Sequence, residues 1–525
     1  MNRSTPYFAV IIGSGFAGSI LARVLRRLKK RVVVVEKSRH PRFALGESTT
    51  PIGGLALERL AARYRLDDLR HMAAYGRWLD DLPHLRRGLK RGFTFFHHQN
   101  GEPYANGPDN DHRLMVAASP DDRLADTHWL RSDVDHHLAK RAVAEGARLL
   151  QETTVEDVEV TEGGVRVRIR SDQGVDFLES RYVIDASGGG HSVLARAFDL
   201  PSKTDRVPID TSLLFCHMDG VRHLRDSVPD PHPELAPYPE ERAAVHHLLD
   251  IGWLYVLRFD HGPASVGLVL RKDRLPISQE QLEVRPGRAL RRLLDRYPSL
   301  GEIFRDARPV DGVVGYKARL QHRYSSAAGK RFFLLPSAYA FYDPLFSTGI
   351  AWNLLAVERL ASLFEGRYGD ARDYALLLSQ EADQLESLIE SCYLSMDNFD
   401  RFVGVTELYF AGVSFAEAQQ RLMPMRDGRP DAWDGFLGAR DPVMSSLVVQ
   451  TRDRLRRDAK GLASASNLLP WLRQRLSSRD IIGLDQAPTP RLYPVDLDVL
   501  QERSDRLGLS PEEVFAALPR LRGEA

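Results

Sequence analysis

The chain has 525 residues, 43% hydrophobic and 27% charged, which suits a soluble protein with more than one core. Its 72 basic and 71 acidic residues leave a formal net charge of +1, so no global field favours nucleic acid or an anionic membrane. Cys216 and Cys392, the only cysteines, lie far apart, which excludes a disulfide framework and points to a reducing compartment, the cytoplasm.

The polar N-terminal residues run straight into an apolar stretch at 8–12, leaving no room for a signal peptide, and no apolar run approaches membrane-spanning length. After 8–12 come Gly13-Ser14-Gly15-Phe16-Ala17-Gly18, apolar residues at helical spacing (Phe16, Ile20, Val24) and a second apolar run at 32–35. This predicts a strand, a glycine turn, a helix and a strand. Gly13 allows the tight bend, Gly15 lets backbone approach a pyrophosphate, and Gly18 lets helix and strand pack closely. The helix N-terminus then faces the phosphate charge. Glu36 ends the second strand, placed to accept a hydrogen bond from an adenosine ribose and to disfavour a 2′-phosphate. The expected ligand is an unphosphorylated dinucleotide.

Residues 42–51 read as a loop, with Thr50 and Pro51 starting a helix to about Tyr64. A helix is predicted over 129–145, ended by Gly146, then strands at 155–160 and 165–169. Residues 182–185 form a strand entering a glycine-rich turn at Ala186-Ser187-Gly188. Between about 207 and 275 the pattern is antiparallel, with 260–263 as the turn of a hairpin. Helical patterns follow from Ile350, interrupted by a Gly/Pro/Asp-rich stretch at 423–442, and Ser510 and Pro511 start a last short helix to Leu518.

The glycine turn, Gly46-Glu47-Ser48-Thr49, Asp185-Ala186-Ser187-Gly188 and Asp343-Pro344-Leu345-Phe346-Ser347-Thr348-Gly349-Ile350 resemble, in this order, the motifs of flavin-dependent halogenases. The resemblance spans most of residues 1–365. Leu89-Lys90-Arg91-Gly92-Phe93-Thr94-Phe95 and Leu335-Pro336 are similar to the branch acting on phenols and pyrroles. The resemblance implies an α/β fold: a glutathione-reductase-like FAD-binding domain over 1–200 and 305–365, an inserted substrate-side antiparallel sheet over 201–304, and a mainly helical C-terminal region over 366–525. It assigns FAD to Gly13, Gly15, Gly18, Glu36, Glu47, Ser48, Asp185 and Asp343, halide to Thr348 and Gly349, and the substrate pocket to Phe346 and Trp253.

The chemistry so implied starts with FADH2 and O2 giving a flavin C4a-hydroperoxide, which chloride or bromide attacks to yield hypohalous acid. The acid passes through a tunnel to Lys90, which activates it for electrophilic attack on a small electron-rich aromatic substrate, free or tethered to a carrier protein. No second glycine fingerprint for a nicotinamide cofactor is present, so a separate flavin reductase is the expected source of FADH2.

Lysine offers three donors and no acceptor, so it can polarise a hypohalous oxygen, and partial desolvation lowers its pKa toward a nucleophilic amine. Without the motif, Lys90 reads instead as one of a solvated basic cluster with Arg86, Arg87 and Arg91. The turn at Ser347-Thr348-Gly349-Ile350 presents backbone N–H groups able to hold an anion, and the same turn serves simply as a helix start. Phe346 replaces the glutamate of tryptophan-directed members, pointing away from free tryptophan; it reads equally as a core aromatic.

Two departures stand out. Trp253-Leu254-Tyr255-Val256-Leu257-Arg258 keeps only the first aromatic of the family's Trp-x-Trp-x-Ile-Pro segment, which is thought to suppress monooxygenation. Pro336-Ser337 stands in place of the Gly-Asp pair usual in the wider flavoprotein class, which resembles the phenol and pyrrole branch. The first departure puts product choice in doubt and keeps a flavin-dependent aromatic hydroxylase as an alternative, the second weakens the case for a generic hydroxylase, and a non-catalytic flavin-binding assembly protein is a third reading. The pairs His97-His98, His136-His137 and His246-His247 lack metal-ligand spacing, and no metal is expected.

Overall fold

The computed structural model describes residues 6–190, 192–230, 232–422, 431–462, 464–487 and 489–521. Its first sheet is built on two strands buried along most of their length, Tyr7–Ile12 and the all-valine Val32–Val35, the composition expected of parallel strands covered on both faces. They pair in parallel from Ala9 opposite Val32 to Ile12 opposite Val35. Arg148–Leu150 extends the sheet beyond Val32–Val35, and Gly174–Asp185 lies on the other side of Tyr7–Ile12. The long strand Gly174–Asp185 is antiparallel to Val165–Ser171 in its first half and parallel to Tyr7–Ile12 in its second. Its C-terminal turn consequently leaves the sheet beside the Gly13 turn, where the Ala186 amide donates to the Ile12 carbonyl at 2.8 Å.

Among the described residues the second sheet has nine strands, and it extends beyond the expected limits of 201–304. Gly92–His97, Arg113–Ala117 and Leu492–Tyr493 form one end, and Arg308–Pro309 and Gly315–Lys317 pair at the other. Ala244–Leu249 joins the two parts by running parallel to Gly92–His97. The predicted hairpin is present, Gly252–Arg258 against Ala264–Arg271. Period-two alternation sends Trp253, Tyr255 and Leu257 toward the first sheet and Leu254 and Val256 toward the helices Gln279–Val284, Pro286–Leu294 and Pro298–Ile303.

The helix expected at 129–145 is Arg131–Ala144, because Asp126–Trp129 is instead a strand pairing antiparallel with Arg87–Lys90. In the C-terminal region Thr348–Phe364 and Ala371–Ser395 are tied by a fully buried ion pair, Arg359 to Glu381 at 2.5 Å, with the Trp352 indole also donating to Glu381 at 2.7 Å. Of the Gly/Pro/Asp-rich stretch, 423–430 lies outside the described residues. Ser510 and Glu513 exchange capping hydrogen bonds at the start of Pro511–Leu521. Among the described residues no helix is long and apolar enough to cross a membrane.

Candidate active site

Between the two sheets lies a cavity of about 440 Å³, walled by Gly15 to Ala17, the loop 42–48, the Ala186 to Gly188 turn, the inner face of the second sheet and residues of the 343–350 stretch. The glycine turn closes it because no side chain fits behind. A Cβ on Gly18 would lie 2.1 Å from the Gly13 carbonyl oxygen, and one on Gly13, at φ +98°, would lie 2.7 Å from that of Ala186. Gly15 alone of the three faces the cavity. Arg42 and Arg131 also line it, supplying positive charge beside the helix start.

The acidic residues divide between the wall and its supports. Glu36 is buried off the wall, accepting from the Ser14 amide at 3.0 Å, the Ser14 hydroxyl at 2.9 Å and Arg42 at 3.0 Å. Burial pushes its carboxyl up, but Arg42 and the Ser14 and Ser38 amides outweigh this and lower it. Asp185 also lies behind the wall, accepting from the Ser187 amide at 2.9 Å and the Ser192 hydroxyl at 2.5 Å, and so fixes the turn that does reach it. Glu47 and Ser48 line the cavity; Glu47 lies 2.8 Å from His217, and the Ser48 hydroxyl is buried with no hydrogen-bond partner among the described residues. A glycine cradle, paired arginines and an unpartnered hydroxyl fit a dinucleotide cofactor.

Asp343 lines the cavity at its far end, accepting from the Leu345 amide at 3.0 Å and the Tyr393 hydroxyl at 2.6 Å. Burial pushes its carboxyl up to about 7. The Trp253 indole donates to the same Tyr393 hydroxyl at 3.1 Å. Ser347, in the left-handed region at φ +53°, turns the chain into Thr348–Phe364, and its side chain does not cap that helix. The first-turn N–H groups of a helix have no intrahelical acceptor. A Cβ on Gly349 would meet nothing within 4 Å, so this helix start is open to the cavity.

A second cavity, of about 200 Å³, lies under the C-terminal segment, with Ile52, Phe93, Tyr409, Phe410 and Val413 among its apolar walls and Asp126, Glu417, Arg421 and Asp496 among its polar ones. The two residues assigned to the substrate pocket are not on its walls. Trp253 faces the larger cavity, because strand alternation aims it there. Phe346 lines neither: it is fully buried and stacks on Tyr409.

Lys90 has no exposed surface and is on the wall of neither cavity. The loop 46–49 lies along the strand Asp126–Trp129, Thr49 and Thr127 exchanging hydrogen bonds at 2.9 to 3.0 Å, and this brings the Thr49 carbonyl 2.5 Å from Lys90 Nζ. Ser48 belongs to the wall of the larger cavity and Thr50 to that of the smaller, and the Thr50 hydroxyl is likewise buried without a partner among the described residues. Lys90 Nζ also lies 4.0 Å above the centre of the Phe93 ring. Burial lowers its pKa to about 7, against the opposing pull of Asp126. This geometry removes the reading of Lys90 as part of a solvated basic cluster.

Sequence reasoning did not find Asp126. It stands directly opposite Lys90 in the two-stranded ladder, and the chain holds no local sign of that pairing.

Among the described residues no group of His, Cys, Asp and Glu is arranged to hold a metal ion. His98 and His247 contact each other at 2.9 Å, and burial pushes both well toward the neutral form.

Residues 9–307 match the family model described as FAD dependent oxidoreductase, a class that a glycine-cradled dinucleotide cavity fits. The chain is 29% identical over 419 residues to tetracycline 7-halogenase of Kitasatospora aureofaciens, covering 77% of this chain and 73% of that protein. It is 29% identical over 425 residues to monodechloroaminopyrrolnitrin halogenase PrnC of Pseudomonas fluorescens, covering 78% and 71%. Its fold is that of halogenase PltM, solved in complex with phloroglucinol and FAD, with a TM-score of 0.81, 23% identity, and coverage of 93% of this chain and 99% of that one. The chain belongs to the FAD dependent oxidoreductases, and the relatives it is similar to are flavin-dependent halogenases.

Proposed function

We propose that this enzyme chlorinates or brominates a small, electron-rich aromatic ring, a phenol or a pyrrole, using hypohalous acid relayed to Lys90. The observation that carries this reading is the burial of Lys90 against Thr49, whose neighbours Ser48 and Thr50 line the larger and the smaller cavity. Reduced FAD, bound in the larger cavity and supplied by a separate flavin reductase, would provide with O2 the oxidising power that turns halide into hypohalous acid. The glycine turn, Arg42, Arg131, Glu47 and Ser48 hold the cofactor, with Glu36 and Asp185 supporting them from behind. The open helix start at Thr348 and Gly349 holds the halide, since uncapped N–H groups favour an anion.

The strip Ser48 to Thr50 runs from one cavity to the other past Lys90, and its two unpartnered hydroxyls offer hydrogen bonds to a small polar molecule in transit. Lys90, poised near neutrality, donates to the hypohalous oxygen, making the halogen more electrophilic and protonating the hydroxide that leaves. A cavity of about 200 Å³ suits a single ring. Its charged wall residues favour an uncharged one: Asp126, Glu417 and Asp496 stand against Arg421, which Glu417 and Glu58 already neutralise at 2.6 and 3.1 Å. The phloroglucinol complex of the structural neighbour supports a phenol.

The test is product analysis by mass spectrometry after supplying enzymatically reduced FAD, O2, chloride or bromide and a panel of phenols and pyrroles. A halogen isotope pattern on a one-ring product supports the reading. A gain of one oxygen would make the enzyme a hydroxylase, and no product from any ring would remove its catalytic role.

A further inference from the structure

Replacing ring hydrogen by halogen releases a proton as well as consuming an electrophile, and the cavity wall holds one carboxylate suited to receive it. Asp126 lines the 200 Å³ cavity, is buried, and has an Oδ2 atom with no hydrogen-bond partner among the described residues. Leaving such an oxygen unpaired is costly, which is understandable where substrate or product supplies the missing donor. Across the ladder from Asp126 stands Lys90, and directly opposed residues keep their Cβ atoms about 5 Å apart on one face. Lys90 Nζ donates to the Thr49 carbonyl rather than to Asp126.

We propose that Asp126 is the group that removes the ring proton, and that it forms with Lys90 a closed proton circuit. This rests on the halogenation proposed above. The circuit starts with Lys90 as ammonium and Asp126 as carboxylate. The ring donates an electron pair to the halogen of hypohalous acid; the carbon–halogen bond forms, the halogen–oxygen bond breaks, and the departing hydroxide takes a proton from Lys90 to leave as water. The carbon–hydrogen bond then breaks, its electron pair restoring the aromatic ring and its proton passing to Asp126 Oδ2. The pair now holds one proton on Asp126 and none on Lys90, and transfer from acid to amine restores the starting state. The sum is ring C–H plus hypohalous acid giving ring C–halogen plus water, with no proton drawn from solvent.

The surroundings suit a pair that shares one proton. Burial drives Lys90 down and Asp126 up, each to about 7, with each opposing that drift in the other. The other groups facing them are His128 and His246, which burial holds near 3 and therefore neutral, the Tyr409 hydroxyl, which burial raises, and the ion-paired Glu417 and Arg421.

Asp126→Asn and Asp126→Glu test the circuit with two readouts. In the cofactor-free protein, the protonation midpoint of Lys90, followed by NMR of nitrogen-labelled lysine, falls in Asp126→Asn, because the carboxylate that favours the ammonium is gone. In turnover, Asp126→Asn lowers the halogenation rate roughly 100-fold or more and raises the kinetic isotope effect of a ring-deuterated substrate well above the wild-type value, while Asp126→Glu recovers part of the rate. An unchanged Lys90 midpoint in a folded Asp126→Asn protein overturns the pair. A shifted midpoint with wild-type rate and isotope effect overturns Asp126 as proton acceptor. Absence of halogenated product from the wild-type enzyme itself defeats the parent reading instead.

Discussion

Phe346 and Tyr409 stack face to face, their ring centres 4.0 Å apart and their planes within 6°, and the Tyr409 hydroxyl donates to the Phe346 carbonyl at 3.1 Å. One residue belongs to the segment carrying the proposed halide site and the other to the wall of the smaller cavity. Their contact fixes that segment against the wall. Tyr409→Phe keeps the stack, costs about 1 kcal/mol for the lost hydrogen bond and leaves product yield near wild type. Tyr409→Ala removes a buried ring, costs about 4 kcal/mol in stability and joins the cavities, so that oxidising equivalents escape. Chemical denaturation checks the first effect, and halogenated product per FADH2 consumed checks the second.

The glycine turn admits a sharper steric test. Gly18→Ala sets a methyl carbon against the Gly13 carbonyl oxygen, 2.1 Å away, so the turn must move and the backbone loses its close approach to the pyrophosphate. The variant is expected to purify without flavin absorbance and to show at least tenfold weaker FAD binding by fluorescence titration.

Gly349→Ala makes the opposite case. Its methyl group meets nothing within 4 Å and points into open cavity at the proposed halide site. Melting temperature is expected to stay within about 1 °C of wild type, since surface-like changes without a clash cost under about 0.5 kcal/mol. The halide concentration needed for half-maximal rate rises severalfold, more for bromide than for chloride because bromide is larger.

Asp343 gives a pH signature. Burial raises its folded-state pKa from 3.8 to about 7, so the folded protein binds a proton that the unfolded chain releases. The resulting stability is fully present below pH 3.8 and is lost as pH rises through about 7. Asp343→Asn cannot titrate, so the difference in melting temperature between variant and wild type, both without cofactor, shifts in the variant's favour from pH 4 to pH 8 by several degrees. A pH-independent difference would mean that Asp343 stays charged in the folded protein.

Much of this was legible in the chain because the signals are local. The glycine spacing at 13–18, the run at 32–35 and the alternation at 252–258 each report their own geometry, and the motif around Lys90 led to a residue that is indeed buried. What was not legible depends on pairing across distance. Ala244–Leu249 beside Gly92–His97 extends the second sheet past its expected limits, and Leu492–Tyr493 adds a further strand from near the other end of the chain. Asp126 gained its place opposite Lys90 from a ladder that also shortened the helix predicted at 129. Trp253 was assigned to the substrate side from a motif, whereas the face it occupies is decided by strand parity relative to the larger cavity.

In the proposed reaction Lys90 activates hypohalous acid for attack by the ring. The most direct test of this role is a single-turnover experiment on Lys90→Met, with reduced FAD, O2, bromide and a phenol that the wild-type enzyme halogenates, followed by mass spectrometry of the ring and absorbance of the flavin. Lys90→Met is expected to oxidise the flavin at the wild-type rate and to leave the ring unbrominated. Bromination by Lys90→Met at the wild-type rate would contradict this role.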